Sequence, residues 1–259
     1  MKKSRSITNK LPAAVTLLTV VAIWFGLCEG GLVPGFMLPS PVEVFRALVH
    51  EFPILVENAA VTLLEALYGL CIGIGVALVL AAVMHRVKVL YRAFYPVLVI
   101  TQTIPTVAIA PLLVLWLGFG MAPKVTLVAL TTFFPIAVSL LEGYAATDKE
   151  AVNLLRAMGA GRWQIFRHLE FPAAMGHFFS GLRVSVSYAV VGAVISEWLG
   201  GFEGLGVYMT RAKKAYAFDK MFAVIIVIVA VTLLLMALVT LLRRLTMPWE
   251  RYEKIERND

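Results

Sequence analysis

The stretch TDKEAVNLLRAMGAGRWQIFRHLEFP, residues 147–172, is the only long polar interval between strongly apolar runs in this chain. Thr147 and Glu150 have the spacing of a capping box, in which two side chains satisfy free backbone N–H groups where a helix begins. Four apolar residues then recur at helical spacing and form one stripe: Ala151, Leu154, Leu155 and Met158. The pattern predicts a helix that begins at Thr147 and carries an apolar face suited to docking in a groove on another protein.

Glycines divide this stretch into two helical pieces. Gly159 and Gly161 interrupt the apolar stripe. A second short amphipathic piece follows, with Trp163 and Leu169 among charged residues. Because proline inside a helix removes a backbone hydrogen bond, we expect Pro172 to close this second piece.

The composition of the chain is that of an integral membrane protein. Of its 259 residues, 60% are hydrophobic and 15% are charged, whereas a soluble domain has about 25% charged residues. The net charge of +7 comes from short basic clusters beside apolar runs, which indicate membrane topology and do not require a nucleic-acid partner. Cys28 and Cys71 lie in apolar runs without the spacing of a disulfide framework or a metal site.

Six apolar runs are long enough to cross a bilayer, which takes about 20 helical residues. We expect spans at about residues 11–28, 58–84, 94–117, 125–144, 172–199 and 221–242. The predicted fold class is therefore all-α, a polytopic membrane protein with a single transmembrane domain over residues 1–259. In the second span Gly69, Gly73 and Gly75 predict close approach to neighbouring helices.

The first apolar run has the features of either a signal peptide or a span. No small-x-small cleavage site closes the run, and Leu27 before Cys28 does not fit a lipoprotein cleavage site. We expect the run to be retained as the first transmembrane helix.

The distribution of lysine and arginine predicts the orientation in the membrane. Six spans place both termini on one side, and cytoplasmic loops are enriched in these two residue types. Most of the basic residues outside the spans lie in the two terminal segments, the connector after the second span and the loop 147–171. We therefore expect both termini and this loop to be cytoplasmic.

The stretch 147–172 resembles the cytoplasmic loop of the membrane subunits of bacterial ABC importers, the binding-protein-dependent transport family. The signature of that loop is Glu-Ala-Ala, then Gly, Ile and Leu-Pro. Gly159, Ala160, Leu169, Phe171 and Pro172 fall at the family's spacing, whereas Asn153, Leu154 and Leu155 occupy the Glu-Ala-Ala places. In the family this loop is the coupling helix, which fits a cleft in the ATPase.

The resemblance implies a set of ATPase-coupling residues: Asn153, Leu154, Leu155, Met158, Gly159, Ala160, Leu169 and Pro172. It also implies the type I ABC importer permease fold. An alternative interpretation is that the loop is a solvated amphipathic segment resting on the lipid surface.

Further segments narrow the resemblance, which extends from about Leu38 to Leu242. Residues 101–120, TQTIPTVAIAPLLVLWLGFG, resemble the third span of the branch that imports nitrate, sulfonates, taurine, bicarbonate or vitamin precursors. Residues 196–209, SEWLGGFEGLGVYM, and PWERYE near the end are most similar to members assigned to thiamine pyrimidine precursors or riboflavin. The resemblance implies a thiamine pyrimidine precursor or related vitamin precursor as solute, with nitrate, sulfonate, taurine or bicarbonate as alternatives.

The family resemblance also implies partners and a location. Two copies of the chain would enclose the pathway as a homodimer. An extracytoplasmic solute-binding protein would deliver the solute, and two cytoplasmic ATP-binding subunits would grip the coupling helices. The implied location is the bacterial inner membrane.

Motifs of catalysis are absent from the sequence. It contains no GxxxxGK[ST] phosphate loop, no HExxH zinc pair and no GxSxG nucleophile elbow. We therefore expect no catalytic residue, no metal site and no cofactor, with ATP hydrolysis in a partner subunit. No group of catalytic residues in the sequence supports a membrane-embedded enzyme. An ion-coupled secondary transporter is an alternative class, which Glu65 and Arg183 support weakly.

Polar residues inside the spans are the candidates for a solute pathway. An ionised side chain inside a span costs about 2.5 to 3.5 kcal/mol, and Arg183 lies about eleven residues into the fifth span. It either lines the pathway or forms a structural bridge, to Glu65 or to carbonyl groups freed by Pro105. Glu142 lies near the cytoplasmic end, where it can reach water.

The complete candidate pathway set is Gln102, Thr103, Thr106, Arg183, Ser187 and Glu197. Hydroxyl and amide groups in spans also join helices to one another, so a structural role is the alternative at each position. Glu197 and Trp198 are candidates for an outer gate, and Trp198 is equally expected as an anchor at the membrane interface.

Overall fold

The computed structural model describes residues 11–31, 33–35 and 37–248, and all regular secondary structure in these ranges is helical. The elements are α1 (Leu11–Glu29), α2 (Pro41–His50), α3 (Phe52–Arg86), α4 (Lys88–Thr101), α5 (Thr106–Leu117), α6 (Met121–Ala145), α7 (Lys149–Ala157), α8 (Arg162–Ile165), a π-helical turn (Phe166–Glu170), α9 (Phe171–Gly200), α10 (Leu205–Lys214) and α11 (Phe218–Thr246). The predicted all-α fold class is confirmed. The basic amino-terminal segment, and PWERYE beyond Pro248, lie outside the described residues.

Helix α6 is the centre of the bundle, with α3 packed along one side and α9 along the other. Gly69 and Gly73 of α3 approach α6 so closely that an added Cβ would collide with Val128 or Thr132. This confirms the predicted close packing at these two glycines, whereas Gly75 faces open space. Fully buried side chains of this core include Ala77, Ile136, Leu140, Ala189 and Val190.

The described residues contain four helices that are long and apolar enough to cross a membrane: α3, α6, the continuous helix Arg162–Gly200 and α11. The pair α4 and α5 makes a fifth crossing if the two are counted together. The apolar helix Ala14–Glu29 is shorter than these. The predicted six-span count is therefore supported for four or five spans, and the first span stays a prediction.

The third predicted span, 94–117, is broken rather than continuous. Helices α4 and α5 meet at an angle of 99°, with residues 102–105 between them. Pro105 caps α5 in an extended conformation, with φ −61° and ψ 124°. A proline disfavours the helical conformation in the residue before it, which favours a helix end before Ile104. Three residues of the break, Gln102, Ile104 and Pro105, line a cavity.

The fifth predicted span begins earlier than expected, because Pro172 does not close the preceding piece. The helix runs without interruption from Arg162 to Gly200, through the π-helical turn. In this turn the N–H of Phe171 donates to the carbonyl of Phe166, which is the wider i to i+5 spacing of a π-helix. Pro172 lies in the first turn of α9, where proline is tolerated.

The predicted capping box at Thr147 is wrong by one residue. Asp148 caps α7, and its carboxylate accepts a hydrogen bond of 2.8 Å from the N–H of Glu150. The hydroxyl of Thr147 donates to the Gly143 carbonyl of the preceding helix. The carboxylate of Asp148 is the better acceptor, so the helix begins at Lys149.

Candidate functional site

A cavity of about 440 Å³ lies where the broken third span meets α6 and α9. It brings together two of the predicted pathway residues, Gln102 and Thr106, beside the break at Pro105. The remaining lining residues are Thr101, Ile104, Ile109, Leu127, Leu130, Thr131, Phe133, Tyr188, Val191, Gly192 and Ile195. The cavity is lined by apolar, aromatic, hydroxyl and amide groups, and no charged side chain is among them.

Hydrogen bonding separates the polar groups of this cavity into two classes. The hydroxyls of Thr101 and Thr131 donate to backbone carbonyls of their own helices, at 2.7 and 3.0 Å. In contrast, the side chains of Gln102, Thr106 and Tyr188 have no hydrogen-bond partner in the described part of the chain. Gln102 and Tyr188 are exposed and Thr106 is half-buried, so these three groups are available to a solute or to water.

Two other predicted pathway residues lie outside the cavity. The hydroxyl of Thr103 donates to the carbonyl of Ile100 at 2.8 Å, so it bonds to the end of α4. Ser187 is half-buried and lies one helical turn before the cavity residue Val191 on α9. It has no hydrogen-bond partner among the described residues.

The bridge from Arg183 to Glu65, one of the alternatives predicted for Arg183, does not form. Glu65 instead accepts a 2.6 Å hydrogen bond from Lys124, and the two residues are only 1% and 5% exposed. Helix α6 begins at Met121, four residues before the predicted span, so Lys124 lies inside the bundle and not in an external loop. Arg183 is exposed on α9 and pairs with no other described residue.

Glu197 is a buried anchor of the glycine-rich turn after α9, and it does not line the cavity. Its carboxylate accepts hydrogen bonds from the Thr62 hydroxyl, at 2.7 Å, and from the Gly206 N–H, at 2.5 Å. The Thr62 hydroxyl also accepts a bond of 2.9 Å from the N–H of Leu205. These contacts hold the start of α10 against α3. Sequence reasoning missed this role, because Thr62 lies 135 residues from Glu197 in the chain.

The predicted coupling residues form an exposed apolar surface on α7 and the turn that follows. No residue of α7 is buried, and Leu154 and Met158 are 63% and 74% exposed. Gly159 ends the helix with φ +85°, a conformation that suits glycine. We define the coupling surface as Asn153, Leu154, Leu155, Met158, Gly159 and Ala160. Leu169 and Pro172, in contrast, are half-buried where the loop joins α9.

An aromatic cluster joins this loop to the ends of two long helices. The imidazole of His85 contacts the Glu170 carboxylate at 3.0 Å and stacks on the Tyr144 ring at 4.6 Å between centroids. The guanidinium of Arg86 lies over the Trp163 ring at 5.7 Å. The loop therefore contacts the ends of α3 and α6 through these side chains. The sequence contained no signal for this cluster, since its members are far apart in the chain.

The described residues offer no group of three or more His, Cys, Asp or Glu side chains that could hold a metal ion.

Comparison with known proteins relates this architecture to a family. Residues 69–248 match the family described as binding-protein-dependent transport system inner membrane component. The chain is 35% identical over 217 residues to the formylaminopyrimidine transport permease protein ThiX of Halalkalibacterium halodurans, covering 83% of this chain and 87% of that protein. It is 34% identical over 241 residues to the riboflavin transport system permease protein RibX of Chloroflexus aurantiacus, covering 91% and 89%.

A solved structure has the same fold. A chain of the MetNI methionine ABC transporter in an inward-facing conformation superposes with a TM-score of 0.66 at 19% identity, covering 75% of this chain and 96% of that one. At this identity the likeness shows the fold alone. The chain belongs to the binding-protein-dependent transport system inner membrane components and is a permease subunit of an ABC importer.

Proposed function

We propose that this permease carries a small planar nitrogen heterocycle, such as a thiamine pyrimidine precursor, across the bacterial inner membrane. The observation that carries the proposal is the cavity at the broken third span, whose mainly apolar lining carries a few polar groups and no charged side chain. Among the relatives, ThiX is described as a formylaminopyrimidine permease and RibX as a riboflavin permease. Both names refer to planar nitrogen heterocycles.

The free groups of the cavity suit such a solute. The rings of Phe133 and Tyr188 offer aromatic faces and edges for an aromatic ring. The amide of Gln102 both donates and accepts hydrogen bonds, and the hydroxyl of Thr106 does the same. A ring with amino groups and ring nitrogens needs both kinds of partner.

An anionic solute fits this cavity less well. Nitrate, sulfonate and bicarbonate lose their hydration on entry, and a charge moved away from water requires a charged partner or several donors. Arginine and lysine make the strongest contacts to such anions. Neither residue lines the cavity, which favours the heterocycle over the anionic alternatives.

In the proposed assembly two copies of the chain enclose the pathway, and both termini face the cytoplasm. The coupling surface would dock with an ATP-binding subunit, and an extracytoplasmic binding protein would deliver the solute. ATP-driven movement would pass through the His85 cluster to α3 and α6. The family membership favours this scheme over an ion-coupled transporter, and Glu65, one of the two residues that supported that alternative, is paired with Lys124.

Uptake of radiolabelled formylaminopyrimidine by cells that express the complete transporter tests the solute. Gln102→Ala is expected to lower uptake about two- to ten-fold, the value of one lost hydrogen bond of about 0.5 to 1.5 kcal/mol. Thr103→Ala is the matched control and should transport normally, because the Thr103 hydroxyl is bonded to the Ile100 carbonyl at the end of α4. Saturable uptake of taurine or nitrate, with none of the pyrimidine, would contradict the proposal.

A further inference from the structure

A polar stripe runs along the exposed face of α9, between the coupling loop and the cavity. His177, Ser180, Arg183 and Ser187 follow one another at spacings of three and four residues; the first three are exposed and the last is half-buried. Residues at these spacings lie on one face of a helix. Val191, one turn beyond Ser187, lines the cavity. The stripe therefore continues from the cavity towards the loop.

Arg183 makes a lipid-facing position of this stripe unfavourable. It lies roughly 18 Å along the helix from Phe171 at a rise of 1.5 Å per residue, well inside a helix of 30 residues. No other described residue forms an ion pair or hydrogen bond with its guanidinium. A charged group at such depth, without a partner, faces water or a cavity and not hydrocarbon.

Helix α11 shows what a lipid-exposed face of this protein looks like. Its exposed positions include Val229, Leu233 and Leu234, all apolar. The exposed face of α9 also has apolar residues, among them Val184 and Val191, but in addition it carries an imidazole, two hydroxyls and a guanidinium. The contrast indicates that α11 faces lipid and that the stripe faces a water-filled path.

We propose that Arg183 is a cation barrier in the solute pathway. The inference rests on the proposed homodimer, in which the two copies of Arg183 face one path and make its potential positive. Fixed positive charge along a pore excludes cations, and arginine keeps its charge at every physiological pH. A heterocycle without charge passes the barrier, whereas protons and sodium ions, which the membrane potential drives inwards, are repelled. The cavity has no charged side chain in its lining and so does not itself exclude cations.

A cysteine reporter measures both water access and the local potential. Ser180→Cys is placed in a background without the native cysteines, by Cys28→Ala and Cys71→Ala, and the complete transporter is kept in native membranes. The reaction rates of two methanethiosulfonate reagents of similar size are then compared, the anionic ethylsulfonate and the cationic ethyltrimethylammonium. We expect the anionic reagent to be favoured.

Removal of the charge gives the decisive comparison. Arg183→Gln should lower the ratio of the anionic to the cationic rate about five-fold, the effect of one unit charge about 8 Å away in water. Arg183→Lys keeps the charge and should keep the ratio. Leu233→Cys on α11 is the control and should react with neither reagent.

An unreactive Ser180→Cys would place the stripe against lipid or in a sealed interface, and an unchanged ratio in Arg183→Gln would show that another group sets the potential. Either result overturns the cation barrier. The rates are measured without any solute, so they stand apart from the uptake experiment. If pyrimidine uptake fails but the ratio of the anionic to the cationic rate is as expected, only the proposed solute is contradicted and the cation barrier stands.

Discussion

Replacement of Lys124 by methionine tests the buried ion pair that joins α3 to α6. Lys124 and Glu65 are 5% and 1% exposed, and Nζ and Oε1 are 2.6 Å apart. The other carboxylate oxygen of Glu65, Oε2, is buried without a hydrogen-bond partner among the described residues. Lys124→Met therefore leaves a buried carboxylate with no cationic partner.

The expected loss follows from this geometry. Removal of one partner of a buried ion pair costs about 3 to 5 kcal/mol. For a chain of this size each kcal/mol lowers the melting temperature by about 2 to 4 °C, so the variant should melt roughly 10 °C below the wild type. The measurement is the fraction of protein that stays monodisperse on size exclusion after heating in detergent.

Two further variants separate the ion pair from other effects. The double variant Lys124→Met with Glu65→Leu should recover most of the lost stability, because apolar pairs replace buried ion pairs well. Lys220→Met is the matched control: its side chain is 41% exposed in the ion pair with Glu51, and such pairs contribute about 1 kcal/mol or less. The reasoning is refuted if Lys124→Met melts with the wild type, or if the double variant melts no higher than the single one.

Two other outcomes are expected. Gly159→Val should insert normally but lose solute uptake, because φ is +85° at this residue and a β-branched side chain is strained there. Gly161→Ala is the control and should keep most uptake, because φ is −71° at that residue. Normal uptake by Gly159→Val would contradict the assignment of the coupling surface. The hydrogen bond from Lys220 holds the pKa of the Glu51 carboxyl below its ordinary value of 4.5. This interaction therefore stabilises the fold fully above pH 4.5, and the stabilisation is lost as the pH falls through the lowered pKa. Melting temperatures of the wild type and Glu51→Gln should therefore differ at pH 7 and converge in acid, and an equal difference at both pH values would contradict the assignment.

The positions of the long helices and of the coupling helix were predictable, because apolar length and helical periodicity belong to neighbouring residues. The same local information failed at three points. It placed the start of the coupling helix at Thr147 and not after Asp148, expected Pro172 to end a helix, and treated the third span as continuous across Pro105. Each error concerns a helix end or a proline, where a backbone N–H or carbonyl has no partner within the helix. More than one local conformation can supply the missing partner there, so the sequence alone does not select one.

Long-range pairs could not be predicted from the sequence. A lysine near the end of an apolar run has the local pattern of an interface residue, yet Lys124 is buried against Glu65, which is 59 residues away. Glu197 had the pattern of a gate, and the structure bonds it to Thr62 and Gly206. Burial and pairing depend on which helices meet, and hydropathy along the chain does not contain that information.

The sequence by itself determined that this chain is a helical membrane protein with an amphipathic loop of the ABC permease type, since composition, periodicity and glycine–proline spacing are local properties. Only the tertiary structure decided which polar groups are free. It brings Gln102, Thr106 and Tyr188 to one cavity at the break in the third span, and it leaves Arg183 exposed on α9 with no partner among the described residues. Whether a polar side chain binds its own helix, a neighbouring helix or a solute depends on the packing of α3, α6 and α9, which brings together residues far apart in the chain.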